Sequence, residues 1–417
     1  MSLANKRILY VSYNGMLEPL GQSQVIPYLK ELSKRGARFT LLSFERSPVY
    51  TSEGAAQAEA LKQELAEYHI EWQWLRYHKT PSLPATAFDL IQGVRRAGQV
   101  VRQNAIELVH ARSHIPALIA LRMKKRYGAK MIFDVRGLMA DEYVDAEHWR
   151  TNSVRYRITK SLERKALSSA DGIVTLTEKI WPIINAANGS RVRNAVHQVI
   201  PCCADLDRFA FCEETRRTKR AELGLPDKQR ILVYSGSIGG WYLTDKMAHL
   251  FAHMVKQEET WHFLWLTTGP VALIQKIMND LGLSDNRYTV KRAAFHEVPA
   301  YLSAADAAIA FYKPTLSRLA TSPVKVAEYL ACGLPVVLNA GVGDSDALIR
   351  NERVGTVIEN FTDAEYEQAA TAIERFTAEP ELIRRRAREV AERIFDVRTV
   401  GAVRYARLYE RVLGGTN

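Results

Sequence analysis

Strand-like apolar runs alternate with helix-like stretches along almost the whole chain, and they do so twice, with a charged interruption between the two series. Residues 6–13 read as a strand, followed by a Gly-containing loop over 14–22 and a helix over 23–35 that Gly36 stops. The next strand, 39–44, then fits a right-handed crossover in a parallel sheet. Further strands are predicted at 71–75, 107–111, 130–135, 172–177 and 197–201, with helical stretches between most of them. Around 202–230 the texture changes to a charged, Pro-punctuated segment that includes EETRRTKRAELGLPDKQR. A second alternation follows, with strands at 231–235, 262–267, 288–292 and 307–311 and helices at 244–256, 271–281 and 298–304. This order restricts the chain to an α/β architecture of two Rossmann-like, doubly wound domains. The expected boundaries are 1–205 for the first and 206–395 for the second. The last helical run, 379–412, breaks near Phe395 and Asp396, so residues 396–417 are expected to cross back onto the first domain.

The most informative single stretch is 322–338, SPVKVAEYLACGLPVVL. Pro323 suits a helix's first turn, Cys332 and Gly333 followed by Pro335 suit its end, and an apolar strand comes next. Val326 and Leu330 mark one helix face, whereas Lys325 and Glu328, three apart, share another. A helix-to-strand unit with polar groups at its entrance is suited to holding something charged. The net charge of +11 agrees, because it favours anionic partners such as nucleotides or acidic lipid surfaces. For nucleic acid, net charge is the only argument, and none is expected as a partner. Four cysteines, Cys202, Cys203, Cys212 and Cys332, lack paired CxxC spacing and point to a reducing compartment. No signal peptide and no membrane span is predicted. The expected location is cytoplasmic, with peripheral attachment at the inner membrane face as a further option.

In this order and spacing the motifs resemble the GT-B glycosyltransferases, specifically the retaining family 4 enzymes (glycosyl transferases group 1). RILYVSYNGMLEPLGQSQVIPYLKELSKRGARFTLLSFE looks like that family's amino-terminal unit, and IPCCADLDRF looks like its interdomain segment, with Cys202 and Cys203 where Asn-Gly is more usual. ILVYSGSIGGWY resembles the first strand and loop of the donor domain, and SPVKVAEYLACGLPVV is the most specific match. The resemblance implies two domains facing across a cleft, a nucleoside diphosphate sugar as donor and co-substrate, and no other cofactor. A glycan or lipid-linked acceptor is implied as well, in the synthesis of surface polysaccharide or glycoconjugate. Family members commonly carry two glutamates with seven residues between them, the first associated with the donor sugar and the second with the ribose hydroxyls. Glu328 matches the second, but Ala320 stands where the first would be, and no acid lies between Asp306 and Glu328.

On the donor side, Gly236 and Ser237 follow a predicted strand, and the glycines would let backbone N–H groups approach a phosphate; the alternative is a plain tight turn. Lys325 is expected to neutralise diphosphate charge without a metal, helped by Arg318 and Lys313, with Pro323 starting the helix. Glu328 is expected to accept both ribose hydroxyls, its alternative being a surface pair with Lys325. Two DxD matches exist; Asp205 and Asp207 are expected to cap a helix, and Asp344 and Asp346 to sit in a loop near the donor. On the acceptor side, LVHARSHIPAL and FDVRGLMADEY place His110, Arg112, His114, Asp134 and Arg136 at strand ends. His110 or His114 is a candidate catalytic contact by resemblance, against the alternative of a buried, satisfied histidine. Gly21 and Gln22 are expected to offer backbone N–H groups from the first loop. Along 150–167, Val154, Ile158 and Leu162 form an apolar stripe beside Arg157, Lys160 and Arg164. It reads as a core-facing helix with a solvated basic side; the alternative is a helix lying on an anionic membrane. Two rival functions stay open: a UDP-sugar epimerase of the same architecture, and a non-catalytic glycan- or partner-binding protein, the latter motivated by Ala320.

Overall fold

The computed structural model describes residues 3–192 and 194–414. It comprises two units, Met1–Pro201 with Val397–Asn417, and Cys202–Asp396. In the first unit the strands are β1 (Arg7–Ser12), β2 (Arg38–Glu45), β3 (Ile70–Arg76), β4 (Leu108–Arg112), β5 (Lys130–Asp134), β6 (Gly172–Thr175) and β7 (Val196–Val199). The second unit contributes β8 (Arg230–Ser235), β9 (Trp261–Leu266), β10 (Tyr288–Lys291), β11 (Ala307–Ala310), β12 (Val336–Asn339) and β13 (Gly355–Ile358). Both sheets are parallel throughout, in the orders β3-β2-β1-β4-β5-β6-β7 and β10-β9-β8-β11-β12-β13. Strand order reverses between β1 and β4 in one and between β8 and β11 in the other. The carboxyl ends of those strands are where an open α/β sheet leaves a crevice.

The apolar runs become strands because both faces of a parallel sheet are covered by helices. In the second unit, successive side chains divide between two cores, as a period of two requires. Ile231 and Val233 enter one core with Leu264, Ala308 and Val336, while Leu232 and Tyr234 enter the other with Phe263, Trp265 and Ile309. Only a strand buried on both sides reads as continuously apolar and still splits in this way.

Three local expectations are corrected. The segment expected to be a loop before Ser23 contains a helix, Pro19–Gln24, so the Gln22 amide is spent on the Glu18 carbonyl at 3.0 Å. Gly21 is required there because a Cβ would lie 2.3 Å from the Gly15 carbonyl oxygen; its role is close packing of the helix on the preceding loop. Asp205 accepts from the amides of Asp207 at 3.1 Å and Arg208 at 3.4 Å in a turn, with no helix to cap. Third, the stripe Val154, Ile158 and Leu162 faces solvent, and the buried residues of its helix are Glu163, Ala166 and Leu167.

The carboxyl-terminal helix Ala402–Gly414 belongs to the first unit, where it packs on the helix Ile26–Lys34 and on β7. Among the described residues, no helix is long and apolar enough to cross a membrane.

Candidate functional site

In the second unit, the helix Val324–Ala331 begins after Pro323 and carries Lys325 on its first turn. Lys325 is 7% exposed, and its Nζ donates to the Tyr234 hydroxyl at 3.2 Å. The ammonium lies 4.3 Å from the ring centres of Tyr234 and Tyr242 and 5.7 Å from that of Tyr312, a cage of aromatic faces that favours a cation. Gly236 closes the cage from the loop after β8. Its φ of +141° excludes other residues, and a Cβ would sit 2.6 Å from Lys325 Nζ. The loop is held by two tyrosines: Tyr234 donates its hydroxyl to the Ser237 carbonyl, and the Ser235 amide donates to the Tyr329 hydroxyl at 2.8 Å. Across the switch point, Asn339 at the end of β12 takes the Tyr312 amide at 2.7 Å and returns a bond to its carbonyl at 2.9 Å, fixing the third wall.

Glu328 follows one turn later and is also 7% exposed. Among the described residues, its carboxylate has no hydrogen-bond or ion-pair partner. Burial pushes its pKa up to about 7, opposed by the charges of Lys325 and of Arg208, which the Asp205 turn presents. Lys325 is pushed down to about 7 by burial, with Glu328 acting against the shift. Both groups therefore change charge close to neutrality. A buried carboxylate with unused acceptor capacity is costly unless something donates to it. Arg318, in the short turn Leu316–Ala320, is 6% exposed and lies over the Trp241 ring at 5.1 Å. The structure thus brings together Gly236, Ser237, Arg318, Pro323, Lys325 and Glu328. The tyrosine cage and Arg208 were not singled out from sequence, although Tyr234 and Tyr242 lie within the quoted ILVYSGSIGGWY.

In the first unit, Arg112 ends β4 and Asp134 ends β5, and both are buried with Arg136 beside them. Asp134 accepts from the Tyr405 hydroxyl at 2.9 Å and stands 3.6 Å from Arg136. Burial alone would raise its pKa, but Arg136, His110 and Arg112 outweigh that and hold it at about 2. Arg136 also donates to the Gln24 side chain at 3.3 Å.

The two histidines are drawn inward, the buried alternative given for them above. His110 is 1% exposed, with one ring nitrogen 2.6 Å from the Tyr409 hydroxyl and the other 3.4 Å from Asp134. Burial lowers its pKa, so it is a neutral joint between the sheet and the carboxyl-terminal helix. His114 is 5% exposed and is bonded to Glu163 at 2.8 Å, on the side away from solvent. Between Arg112 and His114, Ser113 has a φ of 76° and a ψ of −175°, a conformation natural to glycine, at the carboxyl end of β4.

Of the two DxD matches, Asp344 precedes the helix Ser345–Glu352, and Asp346 binds the amides of Gly341 at 2.9 Å and Ala347 at 2.7 Å. Among the described residues, no group of three or more His, Cys, Asp or Glu is arranged to hold a metal ion.

Two parallel doubly wound sheets with polar clusters at their strand ends are the architecture of a GT-B glycosyltransferase. The first unit matches the family described as glycosyl transferase 4-like domain over residues 25–203, and the second matches glycosyl transferases group 1 over residues 215–393. The chain belongs to these glycosyltransferase families. Solved structures agree on the fold. Sucrose-phosphate synthase from Thermosynechococcus elongatus superimposes with a TM-score of 0.72 at 16% identity, covering 99% of this chain and 100% of that one. Anabaena HepE in complex with UDP and glucose gives 0.70 at 16% identity, with 98% and 100% covered. WaaG, a glycosyltransferase involved in lipopolysaccharide biosynthesis, gives 0.67 at 15%, with 98% and 100% covered. A search of curated proteins by sequence finds no match.

Proposed function

We propose that this chain is a retaining glycosyltransferase that moves a sugar from a nucleoside diphosphate sugar to a glycan or lipid-linked acceptor, with no cofactor beyond the donor itself. The observation that carries the reading is the pair of buried, oppositely charged groups one turn apart, Lys325 caged against Gly236 and Glu328 with no hydrogen-bond or ion-pair partner among the described residues. As the glycosidic bond breaks, charge grows on the departing diphosphate. Lys325, fixed beside a glycine backbone and the start of a helix, supplies positive charge there without reorganisation. Glu328 offers its two oxygens to the vicinal ribose hydroxyls. Arg112 and Arg136 form the cationic floor of the acceptor side. Support from relatives is that HepE structures hold UDP, UDP with glucose, and UDP-glucose.

The near-neutral lysine makes donor binding proton-linked. A diphosphate beside Lys325 favours its charged form, so the pKa of about 7 rises on binding. At pH 8 the free lysine is mostly neutral while Glu328 is mostly ionised. Binding of UDP at that pH is therefore expected to take up close to one proton, and affinity is expected to fall as pH rises above 7. Calorimetry in buffers of differing ionisation enthalpy reads the uptake directly; zero uptake would separate Lys325 from the diphosphate.

A panel of nucleotide sugars, scored for diphosphate release with and without acceptor, tests the activity. Binding of none of them would overturn the transferase reading. Ala320 favours a second reading, a non-catalytic binding protein, because its side chain is 2% exposed and a methyl fills the position. If the protein is an active transferase, Ala320→Glu is expected to leave activity equal or lower; activity appearing only in that variant would favour the non-catalytic reading.

A further inference from the structure

The helix Val154–Ser169 turns its apolar side outward. Val154, Ile158 and Leu162 recur every fourth residue, so they align in one stripe, and they are 71%, 55% and 37% exposed. What lies beneath the helix is largely polar. Glu163 bonds to His114 at 2.8 Å and to Lys160 at 2.6 Å, Lys160 also bonds to Asp141 at 3.0 Å, and Tyr156 donates to Asp141 at 3.0 Å. Only Ala166 and Leu167 are buried apolar side chains of the helix. This inward network sets the rotation of the helix about its axis, so the outward stripe is held in place by specific bonds. Three aligned aliphatic side chains over more than two turns form a patch of the kind that marks an interaction surface.

Charge identifies what covers it. With 3.6 residues per turn, Arg155 flanks the stripe on one side, Arg157 and Arg164 flank it on the other, and Lys165 falls within it; all four are exposed. Glu163 is the helix's only acid, and it is buried. Packing two copies of this face together would oppose like charges. The helix Met139–Asp145, which packs against this one, carries Tyr143, 40% exposed and stacked on Trp149 at 4.5 Å. Aromatic rings of this sort favour the boundary between lipid headgroups and acyl chains.

We propose that this face docks on an anionic bilayer, with Val154, Ile158 and Leu162 entering the headgroup boundary and the flanking arginines meeting lipid phosphates. Apolar insertion and electrostatic attraction are each modest, and together they give reversible peripheral attachment. The assignment is independent of the donor chemistry, since it is read without any sugar nucleotide.

The test is sedimentation of the full chain with vesicles of phosphatidylcholine alone or of equal parts phosphatidylcholine and phosphatidylglycerol. Binding is expected only to the phosphatidylglycerol vesicles and is expected to weaken as salt rises. Two variants, Ile158→Glu with Leu162→Glu and Arg157→Glu with Arg164→Glu, are each expected to bind about tenfold more weakly or worse. All four positions are exposed, so both variants should keep the parent's melting temperature. Equal binding to both vesicle types, or unchanged binding by the Ile158/Leu162 variant, would overturn the proposal. So would a concentration-dependent dimer in sedimentation velocity that the same variant abolishes, which would give the face to a second copy.

Discussion

Turnover in a Lys325→Met variant is expected to fall by about two to three orders of magnitude, or about 3 kcal/mol of transition-state stabilisation. The substitution removes a preorganised charge at the leaving group. Folding should not suffer. A lysine 7% exposed among three tyrosine rings pays a desolvation cost that methionine avoids, so the melting temperature should hold or rise. Lost turnover with intact stability separates chemistry from structure. Activity within threefold of the parent would remove Lys325 from the leaving-group role.

The second large effect is structural. Asp134 is the carboxylate beside Arg136 and Arg112, and Asp134→Asn is expected to cost the first unit about 3 kcal/mol or more, because the buried Arg112 and the largely covered Arg136 lose their counter-charge. Urea denaturation followed by a probe in that unit reads the loss. The sign with pH is fixed by the depressed pKa. Folding holds Asp134 ionised down to about 2, below its ordinary value of 3.8. Its contribution is thus complete above pH 4 and disappears as pH falls through that interval. The asparagine variant should lack this acid limb, and identical acid unfolding curves would show that Asp134 does not carry it.

The sheets were legible because buried parallel strands leave apolar runs that no other environment produces. β13 escaped notice for the opposite reason: Gly355–Ile358 is short, opens on glycine and is only half-buried over most of its length. The helix Pro19–Gln24 was hidden as well, since six residues with a central glycine show too little periodicity to separate helix from loop. The stripe at 154, 158 and 162 shows a deeper limit. Spacing tells which residues share a face, but which face turns inward was decided by Asp141, Glu163 and His114, distant polar partners with no local signature. Whether His110 is buried stayed open for a similar reason. Its partner Tyr409 lies 299 residues away, and nothing beside the histidine announces it. In the donor region, Lys325 and Glu328 were readable from the helix pattern, whereas the cage around Lys325 converges from the ends of β8 and β11 and the intervening loop.

The first unit's two-part composition has a consequence for biosynthesis. Tyr405 and Tyr409, which bond to Asp134 and His110, emerge from the ribosome only after the whole of Cys202–Asp396 has been made. At typical translation speeds of about 5–20 residues per second, that interval is on the order of ten to forty seconds. Throughout it, a nascent sheet with a buried histidine and aspartate lacks its closing helix. The second unit is complete in the chain once Asp396 has been added, so the half whose synthesis starts first is the half completed last.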